Sequence, residues 1–564
     1  MKYEKLFEPF KLGQMELKNR IVMPAIGVSF AAGDGSVTQR MIDYLEERAR
    51  GGVGLIIVGL ACVDFARGRT GPNKLSIDDD KYIPGYRKLV ETLHGQGAKV
   101  ALQLHHGGGQ SLSALTGSIP VAPSSIFCRT GGELPNELTI EQIHGLVQRF
   151  ALAAERAVKA GFDGIEIHAG GNYLFHQFLS LSKNKRRDEY GGELKNRARF
   201  LLEVMSAIHE KAGAGCNLWI KINGVEYGKV QPWSTGDAVE LAQMLQKAGS
   251  TAIRVSSVGP NYPYVKTEEP DGSNVHLAAA IKKAIDIPVI TVGRITPFAG
   301  ESALLEGKAD LVAIGRGLLS DPELPNKLAS GRSEDIAPCI TCLTCAHLTP
   351  NGESACTVNP ALGREAEYRI KPADRSKRVL VIGGGPAGME AARVAALRGH
   401  QVTLYEKGQR LGGRMRWAWM VPGSSRIEDL TLHLARQVKK AGVTLEYGKT
   451  LTPADIEALK PDTVVLATGC SISLVKRFLA FGIIFLSFLS IRQAVERGIA
   501  MKSYTRRRQV LGVQTPLLAA AKPNHELIPL LRGRVPEIFL AGDCLEPAGI
   551  LEAVADGARI GRRL

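Results

Sequence analysis

The sequence has few cysteines, nine in 564 residues, and five of them are scattered along the chain. Scattered cysteines argue against a disulfide framework and indicate a reducing compartment. The N-terminal stretch MKYEKLFEPF lacks the apolar core that a secretory signal peptide carries. From both absences we expect a cytoplasmic protein.

Long apolar runs are also scarce. Residues 478–491 form one apolar run of fourteen residues with basic flanks, whereas a transmembrane helix needs about 20. A buried segment is therefore favoured over a membrane anchor. The formal net charge is +15, but the densest basic groups, at 183–187 and 506–508, are short. This scattering indicates a solvated surface with phosphate-binding residues, and we expect no nucleic-acid partner.

Residues 1–330 alternate short apolar runs with amphipathic stretches. Such runs are typical of parallel strands that are buried on both faces, with a helix after each strand. Eight units in about 330 residues predict an α/β fold with an N-terminal (β/α)8 TIM barrel, and the alternative is a doubly wound open sheet. The runs occupy 20–25, 53–61, 99–104, 164–168, 218–222, 252–256, 288–293 and 311–315.

The catalytic residues of a TIM barrel lie at the carboxyl ends of its strands. Two glycine–arginine pairs follow the seventh and eighth predicted strands, where backbone N–H groups commonly bind phosphate. His105 and His106 either line the mouth of the barrel or support it from behind. The candidates at these ends are Pro24, Ala25, Gln103, His168, Lys221, Gly293, Arg294, Gly315 and Arg316.

Two neighbouring candidates suit reductive chemistry. Hydride transfer to an activated alkene needs one group that holds the carbonyl oxygen and another that delivers a proton to carbon. His168 and Tyr173 could take these parts, although a histidine at a strand end is often structural. Gln103 and Lys221 suit the edge of a flavin ring, where a cation stabilises the reduced ring. For Lys221, a salt bridge in the barrel mouth is the alternative.

Four cysteines lie close together in 331–370, a segment that breaks the alternation of strands and helices. Cys339, Cys342, Cys345 and Cys356 give the spacing C-x2-C-x2-C-x10-C. Three thiolates on one short loop, with a fourth beyond it, suit a [4Fe–4S] cluster. A zinc site, which usually pairs two separated C-x2-C knuckles, and unliganded thiols are the alternatives.

Residues 371–470 predict the first part of a dinucleotide-binding βαβ domain. Gly383, Gly385 and Gly388 form a G-x-G-x-x-G loop after a strand, and Glu406 follows Gly388 by eighteen residues. The glycines permit a pyrophosphate to approach the helix N-terminus, and the carboxylate accepts hydrogen bonds from a ribose. A glycine-rich turn without a ligand is the alternative. The pattern is lost at 471–516 and returns at 517–564 with EIFLAGD.

Together these motifs resemble the old yellow enzyme superfamily, in particular its large iron–sulfur flavoproteins: 2,4-dienoyl-CoA reductase, 2-enoate reductase and trimethylamine dehydrogenase. The barrel carries NRIVM, VALQLHHGG, DGIEIH, RRDEYGG, NRARF, VGRI and IGRGL. The rest carries CITC, CTVNP, VIGGGPAGMEAA, LGGR, VLATG and EIFLAGD. The resemblance covers nearly all of 1–470 and 517–564.

The resemblance implies an electron relay. NAD(P)H would reduce FAD in a Rossmann-like C-terminal domain, with ADP as the alternative occupant of that site. The cysteines would hold a [4Fe–4S] cluster, and FMN in the barrel would pass hydride to an α,β-unsaturated acyl or carbonyl substrate, such as a CoA thioester. Tyr173 looks like the proton donor and His168 like a carbonyl-binding residue. The other strand-end candidates look like FMN contacts, and Gly413, Arg414 and Asp543 belong to the FAD motifs.

The chain departs from the family pattern in three places. The usual partner of His168 would be residue 171, which is Gly171. The spacing of the second and third cysteines looks like that of the amine dehydrogenase branch, so an amine or methylated-compound dehydrogenase is an alternative function.

The third departure is that relatives insert an NAD(P)H domain where residues 470–516 leave roughly 45 residues, and a nucleotide fold needs about 100. The insert is therefore predicted to be missing, and a degenerate flavin-binding protein with impaired NAD(P)H input is the other alternative. We expect a small-molecule substrate, and a homo-oligomer is compatible with the sequence.

Overall fold

The computed structural model describes residues 3–128, 132–213, 215–228, 231–259, 270–346, 353–418, 425–471, 522–523, 525–546 and 548–564. The chain forms two compact units. Unit 1 comprises residues 1–336, 343–355 and 362–366, and unit 2 comprises 337–342, 356–361 and 367–564. The apolar run at 478–491 and nearly all of the segment at 471–516 lie outside the described residues. No helix in the described ranges has the length and hydropathy of a membrane span.

Unit 1 begins with a short antiparallel hairpin and continues with alternating strands and helices. Its strands are β1 (Phe10–Leu12), β2 (Met15–Leu17), β3 (Ile21–Met23), β4 (Leu55–Cys62), β5 (Leu75–Ser76), β6 (Lys99–His105), β7 (Val121–Ala122), β8 (Asn136–Glu137), β9 (Gly164–Ala169), β10 (Leu218–Glu226), β11 (Ile253–Val258), β12 (Val289–Val292) and β13 (Leu311–Ala313). Its helices are α1 (Gln39–Arg50), α2 (Phe65–Gly68), α3 (Ile83–Gly95), α4 (Ser113–Thr116), α5 (Ile140–Lys159), α6 (Leu174–Leu179), α7 (Leu194–Ala212), α8 (Thr235–Lys247), α9 (Val275–Lys282), α10 (Pro297–Leu305), α11 (Arg316–Ser320) and α12 (Leu324–Ala329).

Eight parallel strands close into a barrel, which confirms the predicted TIM barrel and excludes the open sheet. The hydrogen-bonded order is β3-β13-β12-β11-β10-β9-β6-β4, and β3 also pairs with β4 to complete the ring. Each strand overlaps its predicted apolar run. The largest difference is at β10, which continues to Glu226, beyond the predicted end at 222.

The long barrel helices α1, α5, α7 and α8 each bury an apolar face. The longest, α5, buries Ile143, Phe150 and Ala154 among other apolar residues. It begins at a capping box, in which the Thr139 side chain accepts a hydrogen bond from Gln142 N and the Gln142 side chain accepts one from Thr139 N. Such a box satisfies N–H groups that a helix start leaves without partners.

The hairpin packs against one end of the barrel interior. Leu12, Met15 and Leu17 of β1 and β2 are buried in one cluster with side chains of the barrel strands. The strand members of that cluster include Val22, Leu55, Ile57, Ala101, Trp219, Ile290 and Leu311. These strand residues lie in the amino-terminal halves or middles of their strands, so the hairpin covers the amino end and leaves the carboxyl end for the site.

Unit 2 is built on a parallel sheet with the order β16-β15-β14-β17-β20. This is the 3-2-1-4-5 order of a doubly wound dinucleotide-binding sheet, and it confirms the predicted Rossmann-like domain. Its strands are β14 (Arg378–Ile382), β15 (Gln401–Glu406), β16 (Thr444–Tyr447), β17 (Thr463–Leu466), β18 (Cys470–Ser471), β19 (Lys522–Pro523) and β20 (Glu537–Leu540). Its helices are α13 (Pro386–Leu397), α14 (Met415–Ala418), α15 (Arg426–Lys440), α16 (Pro453–Leu459), α17 (Leu527–Leu531) and α18 (Ile550–Arg563).

The segment predicted to hold the cysteines, 331–370, is divided between the two units. In unit 1, the fully buried Arg48 pairs with Glu365, and Arg40 donates to Gly363 O at 2.6 Å. In unit 2, Ile340 and Val358 are buried in the core of the sheet domain. Each part of the segment therefore packs with the unit to which it belongs.

Candidate active site

The carboxyl ends of the barrel strands bring the predicted residues of unit 1 to one end of the barrel. Those ends are where enzymes of this fold carry their chemistry. Pro24 and Ala25 follow β3, Gln103 lies on β6, His168 on β9 and Lys221 on β10, Gly293 and Arg294 follow β12, and Gly315 and Arg316 follow β13.

A buried ion pair inside the barrel fixes Gln103. Arg254 Nε and Nη2 donate to Glu166 Oε1 and Oε2 at 2.7 and 2.5 Å. Trp219 Nε1 and Gln103 Nε2 donate to the same carboxylate at 2.8 and 2.5 Å. With its nitrogen held, Gln103 keeps Oε1 buried and without a partner among the described residues. A buried acceptor of this kind suits an N–H group of a ligand.

Lys221, His168 and His105 form a hydrogen-bonded row at the mouth of the barrel. Lys221 Nζ lies 2.8 Å from His168 Nε2, and His168 Nδ1 lies 3.1 Å from His105 Nδ1. All three side chains are buried. The row forms because β6, β9 and β10 are neighbours in the barrel.

Burial sets the protonation of this row. It lowers the pKa of His168 and His105 well below the usual range, and the charge of Lys221 acts in the same direction. Burial, with a smaller effect of Arg254, lowers the pKa of Lys221 to about 7. Both imidazoles are therefore neutral, and when Lys221 is charged it donates to His168, which donates from Nδ1 to His105. His105 Nε2 then carries a hydrogen, and that buried nitrogen has no partner in the described part of the chain.

Tyr173 packs against both histidines. Its ring meets His105 edge to face, with centroids 4.5 Å apart at 87°, and lies 4.8 Å from the ring of His168. Tyr173 is extended and precedes α6 as its N-cap residue. Its side chain is half-buried, so it contacts the row while keeping access to the space at the mouth.

Position 171 offers no side chain to pair with His168. Gly171 N donates to Asn223 Oδ1 at 2.9 Å, and Asn223 Nδ2 donates to Gly171 O at 2.7 Å. The two nearby polar residues are engaged elsewhere. Asn172 donates to a backbone carbonyl at 2.7 Å, and His176 lies 3.3 Å from Glu226. His105, on the neighbouring strand, therefore takes the place beside His168.

The loops after β12 and β13 have the backbone freedom and the cations that a phosphate needs. Gly293 has a φ of +136°, and a methyl group there would lie 2.4 Å from Asn274 Nδ2. Arg294 follows with a φ of 48° and pairs with Asp271 at 3.4 Å. Arg316 Nη1 is buried and has no partner among the residues described. An unsatisfied guanidinium N–H beside such a loop fits an anionic oxygen.

The predicted dinucleotide loop of unit 2 is tight. Gly383 follows β14 with a φ of +111°, and a methyl group there would lie 2.2 Å from Ala467 O. A methyl group on Gly388 would lie 1.9 Å from Gly383 O. Gly385 is the N-cap residue of α13, with open space beside it. The loop thus leaves room at a helix N-terminus, where phosphates bind.

The remaining predicted residues of unit 2 surround this loop. Glu406 accepts hydrogen bonds from Gly384 N at 2.9 Å and from a second backbone N–H at 2.8 Å. Gly413 approaches Gly385, since a methyl group there would lie 3.1 Å from Gly385 Cα. Arg414 pairs with Asp543. Glu406, Gly413 and their neighbours are therefore brought to one edge of the sheet.

The four cysteines fall in both units. Cys339, Cys342 and Cys356 belong to unit 2, and Cys345 belongs to unit 1. Asn359 N donates to Cys356 Sγ at 3.4 Å, and Cys342 Sγ lies 3.3 Å from a threonine hydroxyl. Burial raises the pKa of Cys356 to about 12, with smaller contributions from Cys339 and Cys342. Within the described ranges, no three His, Cys, Asp or Glu side chains form a ready metal-ligand group, and the cluster stays a prediction.

The sequence patterns did not single out Glu166 or Arg254. A signal for both existed, since each places a charge inside an apolar run, in GIEIH and AIRVS. His105 and His106 separate into two roles: His105 joins the row, whereas His106 accepts a backbone N–H at 3.0 Å and supports the loop behind it.

Comparison with known proteins agrees with both units. The model of the NADH:flavin oxidoreductase / NADH oxidase family matches residues 5–335. The model described as pyridine nucleotide-disulphide oxidoreductase matches residues 369–480. The first match covers the whole barrel, and the second covers the loop of Gly383 to Gly388.

Similar proteins extend these matches to most of the chain. An NADH oxidase of Thermoanaerobacter brockii is 43% identical over 83% of this chain and 73% of its own length. A cinnamate reductase of Clostridium sporogenes is 36% identical over 83% of this chain and 74% of its own length. A solved 2-naphthoyl-CoA reductase, in complex with 2-naphthoyl-CoA, has a TM-score of 0.90 and 26% identity, and covers 100% of both chains.

Proposed function

The chain belongs to the NADH:flavin oxidoreductase / NADH oxidase family, and we propose that it is an FMN-dependent reductase of α,β-unsaturated acyl or carbonyl compounds. The observation that carries the proposal is the row of Lys221, His168 and His105 with Tyr173 packed against it. The similarity to a cinnamate reductase supports the same class of reaction.

The residues at the barrel mouth fit FMN. The buried Oε1 of Gln103 is an acceptor for a ring N–H, and Lys221 is a cation for the anionic edge of the reduced ring. Gly293 and Arg294, with Gly315 and Arg316, would hold the phosphate. When bound, FMN would supply the hydride that adds to the substrate.

The chain's own residues supply orientation and the proton. His105 Nε2–H would hold the carbonyl oxygen, which draws electrons from the alkene and activates the carbon that accepts hydride. Tyr173 would donate its phenolic proton to the neighbouring carbon, so that one hydride and one proton saturate the double bond. Because His105 is buried, its Nε2–H has no competing partner among the described residues before the substrate binds. The half-buried Tyr173 regains its proton from solvent.

Unit 2 and the cysteines would supply the electrons. Gly383, Gly385, Gly388 and Glu406, with the pair Arg414–Asp543, would hold FAD. The cysteine thiolates would hold a [4Fe–4S] cluster, and the N–H···S bond at Cys356 suits an iron-bound thiolate. FAD would accept electron pairs from NAD(P)H, and the cluster would pass electrons one at a time.

The test is anaerobic stopped-flow spectroscopy of the holoenzyme. We expect NADH or NADPH to bleach the flavin absorbance, and cinnamate, methyl cinnamate or cinnamoyl-CoA to restore it. In Tyr173→Phe, reoxidation should slow by about 10²–10⁴-fold, while bleaching keeps its rate. If none of the three alkenes restores the absorbance, the proposed function is wrong.

An amine dehydrogenase is the second candidate, favoured by the cysteine spacing and by the absence of a side chain at position 171. Such an enzyme takes electrons from its substrate. Trimethylamine would then bleach the flavin without NAD(P)H, whereas a reductase of unsaturated compounds leaves the oxidised spectrum unchanged.

A further inference from the structure

A second lysine lies at the barrel mouth with no part in the machinery described above. Lys74 lies immediately before β5, and β5 pairs with the carboxyl end of β4 through Leu75 and Ala61. Its ammonium donates to Gly27 O at 2.7 Å and to Ser29 Oγ at 2.8 Å. Both acceptors follow Pro24 and Ala25 in the chain. Lys74 is therefore fixed at the end of the barrel that carries the site.

The ammonium of Lys74 has no counter-charge in the described residues. Both of its acceptors are neutral, and they use two of its three N–H groups. Burial alone lowers the pKa of Lys74 to about 8, with no carboxylate acting against it. The side chain is partly buried, and two neutral oxygens hold its ammonium in place. A partly buried ammonium without an anion is costly, and such groups are characteristic of binding sites.

The acidic residues near this part of the barrel are already engaged. Asp64 pairs with Arg67 at 3.1 Å. Asp78 accepts hydrogen bonds from Phe65 N and Ser76 Oγ at 3.0 and 2.5 Å. Deeper in the barrel, the carboxylate of Glu166 forms an ion pair with Arg254. None of these three carboxylates forms an ion pair with Lys74.

Lys74 also affects His105, the residue that would hold the carbonyl oxygen in the proposed function. Its positive charge, like that of Lys221, lowers the pKa of His105. The charges of both lysines therefore act on His105. The proposed function assigns the charge of Lys221 to the edge of the flavin. It assigns no role to the charge of Lys74.

We propose that Lys74 binds the carboxylate of the substrate, and that the enzyme acts on free α,β-unsaturated carboxylic acids in preference to their esters or CoA thioesters. This inference rests on the proposed function, because it places an unsaturated acyl compound at the barrel mouth. A carboxylate supplies the missing counter-charge and an acceptor for the third N–H group of Lys74. An ester has no negative charge at its carbonyl group to pair with Lys74. A CoA thioester lacks that charge as well, and its CoA group would lie where the carboxylate oxygen binds Lys74.

The test compares substrates and variants in the holoenzyme. Cinnamate, methyl cinnamate and cinnamoyl-CoA are reduced by wild type and by Lys74→Met, Lys74→Arg and Lys88→Met. Lys88 is an exposed lysine on α3 that bonds Gln39 at 2.9 Å, and it serves as the matched control. We expect Lys74→Met to lower kcat/KM for cinnamate by about 10²-fold and for the methyl ester by less than about threefold. Lys74→Arg should restore part of the activity with cinnamate, and Lys88→Met should match wild type.

A binding measurement separates this proposal from the proposed function. The saturated acid 3-phenylpropanoate cannot be reduced, and its Kd is obtained from the perturbation of the flavin spectrum. Lys74→Met should raise that Kd by about 10²-fold at unchanged flavin content. An unchanged Kd overturns the role of Lys74, as does an equal loss of activity with acid and ester, or a wild-type preference for the thioester. If no alkene is reduced, the proposed function is wrong. The Kd of 3-phenylpropanoate then shows by itself whether Lys74 binds a carboxylate.

Discussion

The ion pair of Glu166 and Arg254 is predicted to stabilise the barrel and to orient Gln103 at once. Glu166→Gln keeps the shape of the side chain but removes the charge that balances Arg254. It also turns one acceptor oxygen into an NH2 group, which faces donors of Arg254, Trp219 or Gln103. All four N–H···O contacts of the carboxylate are 2.5–2.8 Å long and buried, so no water can replace the lost acceptor.

The expected cost follows from that burial. Removing one partner of a buried pair costs about 3–5 kcal/mol, because the other charge stays buried without a counter-charge. The matched control is Glu155→Gln on the surface of α5, where Glu155 pairs with the exposed Lys159 at 2.9 Å. Solvent screens an exposed pair of this type, so its loss should cost little.

Hydrogen-exchange mass spectrometry of the intact chain measures the effect locally. Peptides that cover β9 and β11 should lose about 3–5 kcal/mol of protection in Glu166→Gln and almost none in Glu155→Gln. FMN should also dissociate more readily from Glu166→Gln, because the Gln103 amide is no longer held. A loss below about 1 kcal/mol with unchanged FMN binding would refute the reasoning. Replacing both members, as in Glu166→Leu with Arg254→Met, should recover at least half of the loss.

Three further outcomes are expected. Lys221 stays charged in the unfolded chain up to its ordinary pKa of 10.5 but becomes neutral in the ligand-free folded barrel above about 7; the unfolded chain therefore binds more protons in that window. The unfolding free energy should then rise with pH by up to about 1.4 kcal/mol per unit from this group, and urea titrations at several pH values should show a smaller slope for Lys221→Met. Gly388→Ala should lose FAD while FMN remains, as flavin analysis would show, because the added methyl group would collide with Gly383 O; retained FAD would contradict this. Cys356→Ser should lower the iron content of anaerobically purified protein, and unchanged iron would remove Cys356 from the cluster.

Much of the fold could be predicted because strand burial leaves a direct trace in the sequence. The eight apolar runs mark strands covered on both faces, and each run overlaps a strand of the barrel. The glycines of the dinucleotide loop were predictable for a similar local reason, since the tight turn at Gly383 and the close contact at Gly388 exclude any side chain.

The pairing of His105 with His168 was harder to predict because it depends on which strands are neighbours. The short strands β7 and β8 intervene in the chain, but β6 pairs directly with β9, and Leu104 faces Ile167 in register. The next residue on each strand is one of the two histidines. Lys74 was harder still, since its position depends on the path of a loop and no periodic pattern marks it.

The β1–β2 hairpin has a kinetic consequence. Leu12, Met15 and Leu17 pack against strand residues at the amino end of the barrel, and the candidate site lies at the opposite, carboxyl end. Substrate and product are therefore expected to use the carboxyl end alike. A saturated product that has not yet departed then occupies the route of the next unsaturated molecule, and inhibition by product should be competitive with the substrate it came from.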